Sequence, residues 1–486
     1  MKPFYYLLVF SLVVPLWVEA QTQPDEKSSF SLEEAISYAL ANQVTVKNAR
    51  IDAQIAESKV RETTGIGLPQ IDGSVALQHN PKLPRFYSKY TEGVPSIIDL
   101  SSIPGIKSGD VVAFQNVFQL PSNGTAGITI NQLLFSSTYL VGLKAAGTYK
   151  DLAYKTEEQT QIQVVEMVTK AYYAVLVNNE RISLFDNNIA RVDTLLRNTT
   201  EQNKNGFTEA IDVDRIQVNL NNLKTDRLKF LNSQNVSLAL LKFQMNYPME
   251  KELTVVGALE DLKVNEDLFN EYQEGWDYKN RIEYKVLDTQ RKLQELDIKN
   301  KFSTSLPKLS GYLNMGYGTQ SPTIGGLFKT ESKFAGTSEY GPDKWYPYTA
   351  VGVTLNVPLF SGLQRTYQIQ QSRLALLKIQ NNYNSLKLSI DLSIEQNTLL
   401  YKNSVEALKA QQENMTLAEK VARVTKIKYE QGVGSNLEVT DAENSLKQAQ
   451  NNYYNALYDA IVAKIDLDKA YAKIDPSKYM TTQPAK

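Results

Sequence analysis

Tyr429-Glu430-Gln431-Gly432-Val433-Gly434-Ser435-Asn436-Leu437-Glu438-Val439-Thr440-Asp441-Ala442 lies between two runs without proline, residues 361–428 and 443–475. Gly432 and Gly434 supply the permissive backbone that a helix reversal needs. Ser435 or Asn436 can cap the returning helix, and Glu438 falls in its first turn, where the helix dipole favours negative charge. The stretch reads as the tip of a long helical hairpin. Its two carboxylates, Glu438 and Asp441, stand three residues apart and share one helix face.

A second copy lies upstream. Asn205-Gly206-Phe207-Thr208-Glu209-Ala210-Ile211-Asp212-Val213-Asp214-Arg215 follows another proline-free run, residues 136–204. Setting Gly206 on Gly432 sets Asp212 on Glu438 and Val213 on Val439. The chain therefore reads as two copies of one long unit, and such a duplication governs every later inference about fold.

The composition removes most enzyme chemistries. The 486 residues include no cysteine and one histidine, His79. The absence of cysteine excludes disulfides, thiol nucleophiles and zinc–thiolate sites, and a single histidine nearly rules out His-based triads and multi-His metal centres. No metal or cofactor is expected, and His79 reads as a surface residue at a strand end. The formal net charge of −1 gives no field that points to nucleic acid. The first 20 residues carry Lys2, an apolar run from Phe4 to Val18 and a small-residue ending at Ala20, the pattern of a secretory signal peptide with Gln21 as mature start. An apolar run broken by Pro15 is too short for a membrane anchor. The chain is thus expected to be exported.

Beyond the leader and a segment over 21–30, the first unit covers 31–247. Ser31 and Glu34 form a capping box, and a helical pattern runs without proline to Gly67. After Leu68-Pro69 the period changes. Ile71, Val75 and Leu77 alternate with Asp72, Ser74 and Gln78, as in a strand with one dry face. Residues 81–122 read as a loop, and a second alternating run spans Gly127 to Phe135. From Ser136 the helical pattern lasts about 68 residues, ~100 Å at 1.5 Å per residue, which calls for coiled-coil-like packing. It reverses at Gly206 and returns to Pro248.

A connector over 248–265, with a strand-like Leu253 to Val256, leads to the second unit, 266–476. A helix over about 266–305 precedes Leu306-Pro307, and the strand from Leu309 to Tyr317 sets Leu309, Leu313, Met315 and Tyr317 against Ser310, Tyr312 and Asn314. A strand follows from Val351 to Val357, then a helix to Gly432 and a return helix ending near Pro476. A tail covers 477–486. Eleven of the 17 prolines lie in 69–121 and 307–358. Long helices exclude proline from their interior, so these two strand-loop-strand segments are where the helices are not.

A water-soluble coiled-coil adaptor or scaffold would explain the helices but not four strands that are apolar on one face and polar or small on the other. That alternation is the signature of an outer-membrane barrel. Aromatic residues near the strand ends, such as Phe135, Tyr317, Trp345 and Phe360, suit its interfaces. Four strands cannot close a barrel, and open edges are not tolerated in lipid, so the chain must oligomerise through its strands. A secreted carboxylate-dependent hydrolase would need a compact pocket, which ~100 Å helices do not suit.

In this doubled order the chain resembles the TolC-like outer membrane efflux proteins, from about Ser31 to Tyr471. The resemblance rests on Ser31-Leu32-Glu33-Glu34-Ala35, Val357-Pro358-Leu359-Phe360-Ser361-Gly362 and Tyr429-Glu430-Gln431-Gly432 with Glu438 and Asp441. It implies an α+β membrane protein, with four barrel strands per protomer continuous with a long periplasmic α-helical barrel. It further implies a homotrimer in the outer membrane whose twelve strands close one barrel. Its role would be a passive, non-enzymatic duct of a tripartite efflux or type I secretion system. A periplasmic adaptor and an inner-membrane transporter would be its partners. Carried over residue by residue, Glu438, Asp441 and Asp212 match an acidic periplasmic constriction and Tyr429 a gating tyrosine. Gly206, Gly432 and Gly434 mark the tips where an adaptor would dock. Some members of the family carry a basic latch residue where this chain has Gly434, and Arg215 is the candidate substitute.

Overall fold

A computed structural model describes residues 28–94, 103–116, 118–257, 259, 272–329 and 344–480. The expected leader, most of segment 21–30, the end of the 248–265 connector and the last residues of the tail lie outside the described residues.

The elements in chain order are β1 (Ser29–Phe30), α1 (Leu32–Asn42), α2 (Val44–Gly65), β2 (Gln70–His79), β3 (Phe86–Lys89), β4 (Val111–Phe114), β5 (Ser122–Ser136), α3 (Ser137–Lys204), α4 (Ala210–Met245) and β6 (Thr254–Val255). Then follow α5 (Ile282–Ser303), β7 (Lys308–Ser321), the one-turn α6 (Gly326–Lys329), β8 (Tyr346–Asn356), α7 (Gln364–Glu430) and α8 (Asn436–Ala470). Short 3-10 turns cover Tyr278–Asn280 and Pro476–Tyr479. The two long helices, α3 and α7, have 68 and 67 residues, as the proline-free runs predict.

The chain divides into two compact units. One comprises Met1–Lys47, Gln161–Gly275 and Ser393–Lys486; the other comprises Asn48–Thr160 and Trp276–Leu392.

In the first unit the capping box is formed. Ser31 N donates to Glu34 Oε2 at 2.9 Å, and Glu34 N donates to Ser31 Oγ at 3.3 Å. The α1 face built by Ala35, Ile36, Ala39 and Leu40 packs on Val164, Val168 and Tyr172 of α3 and on Leu241 and Met245 of α4. β1 pairs in parallel with β6, so the strand-like reading of the connector holds. The Tyr172 hydroxyl ties this seam together, donating to Val256 O at 2.6 Å and Phe30 O at 3.2 Å. Burial pushes the Tyr172 phenol up to about 12. Such a donor stays protonated at every physiological pH.

The second unit holds a four-stranded antiparallel sheet in the order β2-β5-β7-β8. Its registers align Ile71, Ile130, Leu313 and Val351 in one cross-strand row. The next row is Asp72, Thr129, Asn314 and Ala350. Residues opposite one another share a face and successive rows alternate faces, so one side of the sheet is apolar and the other polar or small. The apolar side is bare: Val75 is 75% exposed and Val351 80%. On the other side the Tyr312 ring lies so close over Gly352 that a Cβ there would meet its hydroxyl at 2.5 Å. Helices in this unit are joined by hydrogen bonds such as Lys155 to Thr289 and Ser372 to Asp297 and by the edge-on rings of Tyr284 and Tyr383.

Four expectations are corrected. The helix expected to run from Ser31 to Gly67 breaks at Gln43, whose backbone is extended and whose Oε1 accepts from Thr45 N at 2.5 Å. The side chain caps a new helix ahead of the β-branched Val44, Thr45 and Val46, which favour a break. The helix expected over 266–305 is regular only from Ile282, after Gly275 at φ +77° and a 3-10 turn capped by Asp277. Part of that stretch, 266–271, lies outside the described residues. The 81–122 loop contains a short ribbon, β3 paired with β4, and gives way to β5 at Ser122. The last return helix ends at Ala470 rather than near Pro476.

Candidate functional site at the hairpin tips

Both tips belong to the first unit, and both are built alike. α3 ends in a Schellman turn in which Phe207 N donates to Gln202 O and Gly206 N to Asn203 O, both at 2.9 Å. α7 ends the same way: Val433 N donates to Lys428 O and Gly432 N to Tyr429 O, both at 3.0 Å. Gly206 and Gly432 sit at φ +77° and +73°, a left-handed conformation that a side chain strains. Gly434 has a different reason to be glycine. A Cβ there would come within 3.1 Å of Lys428 Cβ and of the Tyr429 backbone nitrogen.

Of the two candidate caps, Ser435 takes the role: its Oγ accepts from Glu438 N at 3.2 Å. Glu209 stands at the matching position before α4 and makes no side-chain cap. That frees Asn436, the first residue of α8, to turn inward. It is 3% exposed, and its Nδ2 donates to the backbone oxygen of Asp212 at 2.8 Å and to its Oδ1 at 3.1 Å. Arg215 lies 3.8 Å from the same carboxylate.

Tyr429 is half-buried against a tip core of Phe185, Val192, Leu195, Ile216, Leu220 and Val439. Its hydroxyl lies 3.1 Å from Thr199 Oγ1, so α3 and α7 are hydrogen-bonded just before they reverse. Glu438 and Asp441 point outward and are exposed on α8. Among the described residues neither is in an ion pair within 4.0 Å, and no hydrogen bond joins either to Asp212. The structure thus ties Asp212 and Tyr429 into contacts between the hairpins and leaves the second-repeat acids facing solvent.

Sequence reading missed the charged and amide groups behind the tip. Arg191 of α3 grips Glu443 of α8 in a fork, with Nε to Oε1 at 2.9 Å and Nη2 to Oε2 at 2.6 Å. Arg191 Nη2 also donates to Asn188 Oδ1 at 3.0 Å, and Asn188 Nδ2 to Gln450 Oε1 at 2.8 Å. The Glu443 side chain is 6% exposed. Nearby, Asp226 of α4 takes hydrogen bonds from Lys229 at 3.1 Å and from Lys447 of α8 at 3.3 Å. Burial raises the Asp226 carboxyl, but the bonds from the two lysines outweigh it and hold it below the usual range. The signal in the sequence is weak: Asn188 and Arg191, three apart, share one helix face with Phe185, Val192 and Leu195.

Among the described residues no group of three His, Cys, Asp or Glu side chains is placed to hold a metal ion. Nor is any helix long and apolar enough to cross a membrane.

Residues 291–473 match the family model of the outer membrane efflux protein. Over 359 residues the chain is 23% identical to the Outer membrane protein TolC of Vibrio cholerae, spanning 73% of this chain and 78% of that one. Among solved structures, it is similar to the open state of the Neisseria gonorrhoeae MtrE outer membrane channel, at TM-score 0.66 and 17% identity over 91% of this chain and 88% of that one. A membrane protein from Pseudomonas aeruginosa superposes at TM-score 0.66 and 14% identity, over 90% and 92% of the two chains. At these identities the likeness to solved structures is one of fold.

Proposed function

We propose, from the match of residues 291–473 to the outer membrane efflux protein model and the likeness to TolC, a passive, homotrimeric export duct closed at its periplasmic end by an acidic constriction. The observation that carries this reading is the bare four-stranded sheet. Among the described residues its end strands, β2 and β8, each have one unpaired edge, and its apolar row Ile71, Ile130, Leu313 and Val351 is exposed at Ile71 and Val351 and half-exposed at Ile130 and Leu313. An open edge in hydrocarbon leaves backbone groups unsatisfied, each at a cost of several kcal/mol. Closure by further copies removes both edges. Three copies give twelve strands, with the apolar rows toward lipid and the Asp72–Thr129–Asn314 side toward water.

The same symmetry gives the tips their function. Three copies set three Glu438 and three Asp441 side chains around one axis, a ring of carboxylates that recruits cations and repels anions. Asp212 and Tyr429, held by Asn436 and Thr199, keep α4 and α7 packed behind that ring. Outside it, Phe207 and Val433 follow the two tip glycines and are 82% and 77% exposed. Together with Gly206, Gly432 and Gly434 they form the surface for a periplasmic adaptor, which would link the duct to an energised inner-membrane transporter.

The test is ion selectivity in a planar bilayer. Glu438→Ala with Asp441→Ala should shift the closed channel from cation preference toward none. Unchanged selectivity would remove these two residues from the constriction.

A further inference from the structure

One tyrosine reaches the open edge of the sheet. Tyr312 of β7 stands opposite Gly352 of β8, an end strand. A Cβ built on Gly352 would lie 2.5 Å from Tyr312 Oη, 2.6 Å from Cζ and 2.9 Å from Cε1. The ring therefore lies across the edge strand and fills the place where a side chain at 352 would stand. Glycine weakens a strand interior, and it is found where another group approaches closely, as this ring does. Tyr312 is 37% exposed, and among the described residues its hydroxyl has no hydrogen-bond partner. A phenol both donates and accepts hydrogen bonds. The chain thus delivers an unused donor and acceptor to the polar side of its own last strand.

The opposite edge offers what that hydroxyl lacks. β2 carries Gln70, Asp72, Ser74 and Gln78 on the same face as Tyr312, and all four are exposed. The three pairings that separate β2 from β8 are all antiparallel, so β2 and β8 run in opposite directions. Set beside β8, the β2 of a second copy continues the alternation. It would run about 4.8 Å beyond β8, within reach of a hydroxyl that already lies over Gly352. We propose that Tyr312 is a seam residue, whose hydroxyl, carried across Gly352, hydrogen-bonds the polar-face side chains of β2 in the next copy. The occupant of this edge is a second copy of this chain. A contact that joins two different edges passes from copy to copy and ends only when the ring closes. The proposal rests on the duct reading and names a residue that joins its copies.

A ring over an edge glycine can also serve only to shield it. Tyr312→Phe separates the two roles, because it keeps the ring and removes only the hydroxyl. The variant should keep the wild-type oligomeric mass and circular dichroism, and its oligomer should fall apart several-fold faster in denaturing detergent. In a second measurement the photoreactive residue p-benzoylphenylalanine replaces Tyr312 in the full chain. Irradiation should join copies covalently, and mass spectrometry should place the link on residues 70–79. β2 of the same chain lies three strands from β8, so a link to it marks the neighbouring copy. A Phe variant that dissociates at the wild-type rate, or links that stay within one chain, would overturn the seam contact while the oligomeric duct stands. A wild-type protein with the mass of a monomer would instead remove the duct reading, and the seam with it.

Discussion

The amide of Asn436 bridges the two halves of the tip, giving one proton to the backbone oxygen of Asp212 at 2.8 Å and one to its carboxylate at 3.1 Å. This single buried side chain sets the start of α8 against the first turn of α4. Asn436→Ala should remove both bonds across this seam and cost about 1–3 kcal/mol. Hydrogen exchange should then rise first in the opening turns of α4 and α8. Protection unchanged there would mean that the apolar tip core alone fixes the two helices.

The three tip glycines separate by mechanism. Gly206→Ala and Gly432→Ala each force a side chain into the left-handed region and should cost about 1–2 kcal/mol. Gly434→Arg instead sets a Cβ 3.1 Å from Lys428 Cβ and from the Tyr429 nitrogen, and should push the turn outward by a few tenths of an ångström. Its mark would be faster proteolysis at the second tip with oligomeric mass unchanged. A Gly434→Arg protein with wild-type resistance would show that the turn relaxes to admit a basic side chain.

The sheet supplies a control within itself. Val351 and Asn314 lie on β8 and β7 but on opposite faces. In the proposed barrel Val351→Arg would put a cation on the lipid side and should cost about 2–4 kcal/mol near the bilayer midplane. Asn314→Arg, on the side proposed to face water, should leave membrane assembly intact and alter conductance. Equal yields of assembled protein from both variants would contradict the assignment of faces.

Acid should weaken the helices of the second unit through Asp288. Burial raises its carboxyl, but bonds from Lys292, Arg291 and Tyr383 outweigh that and bring it from 3.8 down to about 2. The folded state therefore binds this proton more weakly than the unfolded state. The stabilisation is fully present above 3.8 and is lost as pH falls toward about 2. Asp288→Asn should flatten that part of the stability–pH profile, read from chemical unfolding followed by circular dichroism. A slope identical to wild type would remove Asp288 from the acid transition.

What the sequence made legible was set by local rules. Proline exclusion located α3 and α7, and strand alternation found β2, β5, β7 and β8. The glycine pair located the tip and narrowed its cap to Ser435 or Asn436. Each of these depends on neighbours within a few positions. The break at Gln43 was hidden because a glutamine seldom caps a helix, and only its bond to Thr45 shows it doing so. The Arg191–Glu443 fork was hidden for a different reason. Its members lie 252 residues apart, and no periodicity in one helix names a partner in another. The tip acids were found but not their surroundings: Asp212 is bound to Asn436, while Glu438 and Asp441 face outward with no partner in the chain's described residues.

The most direct test of the duct is single-channel recording from the purified protein, with oligomeric mass measured first. A trimer should insert and pass a small, cation-selective current, and this current should rise when Glu438 and Asp441 become alanine. A water-soluble species that neither inserts nor conducts would contradict the account.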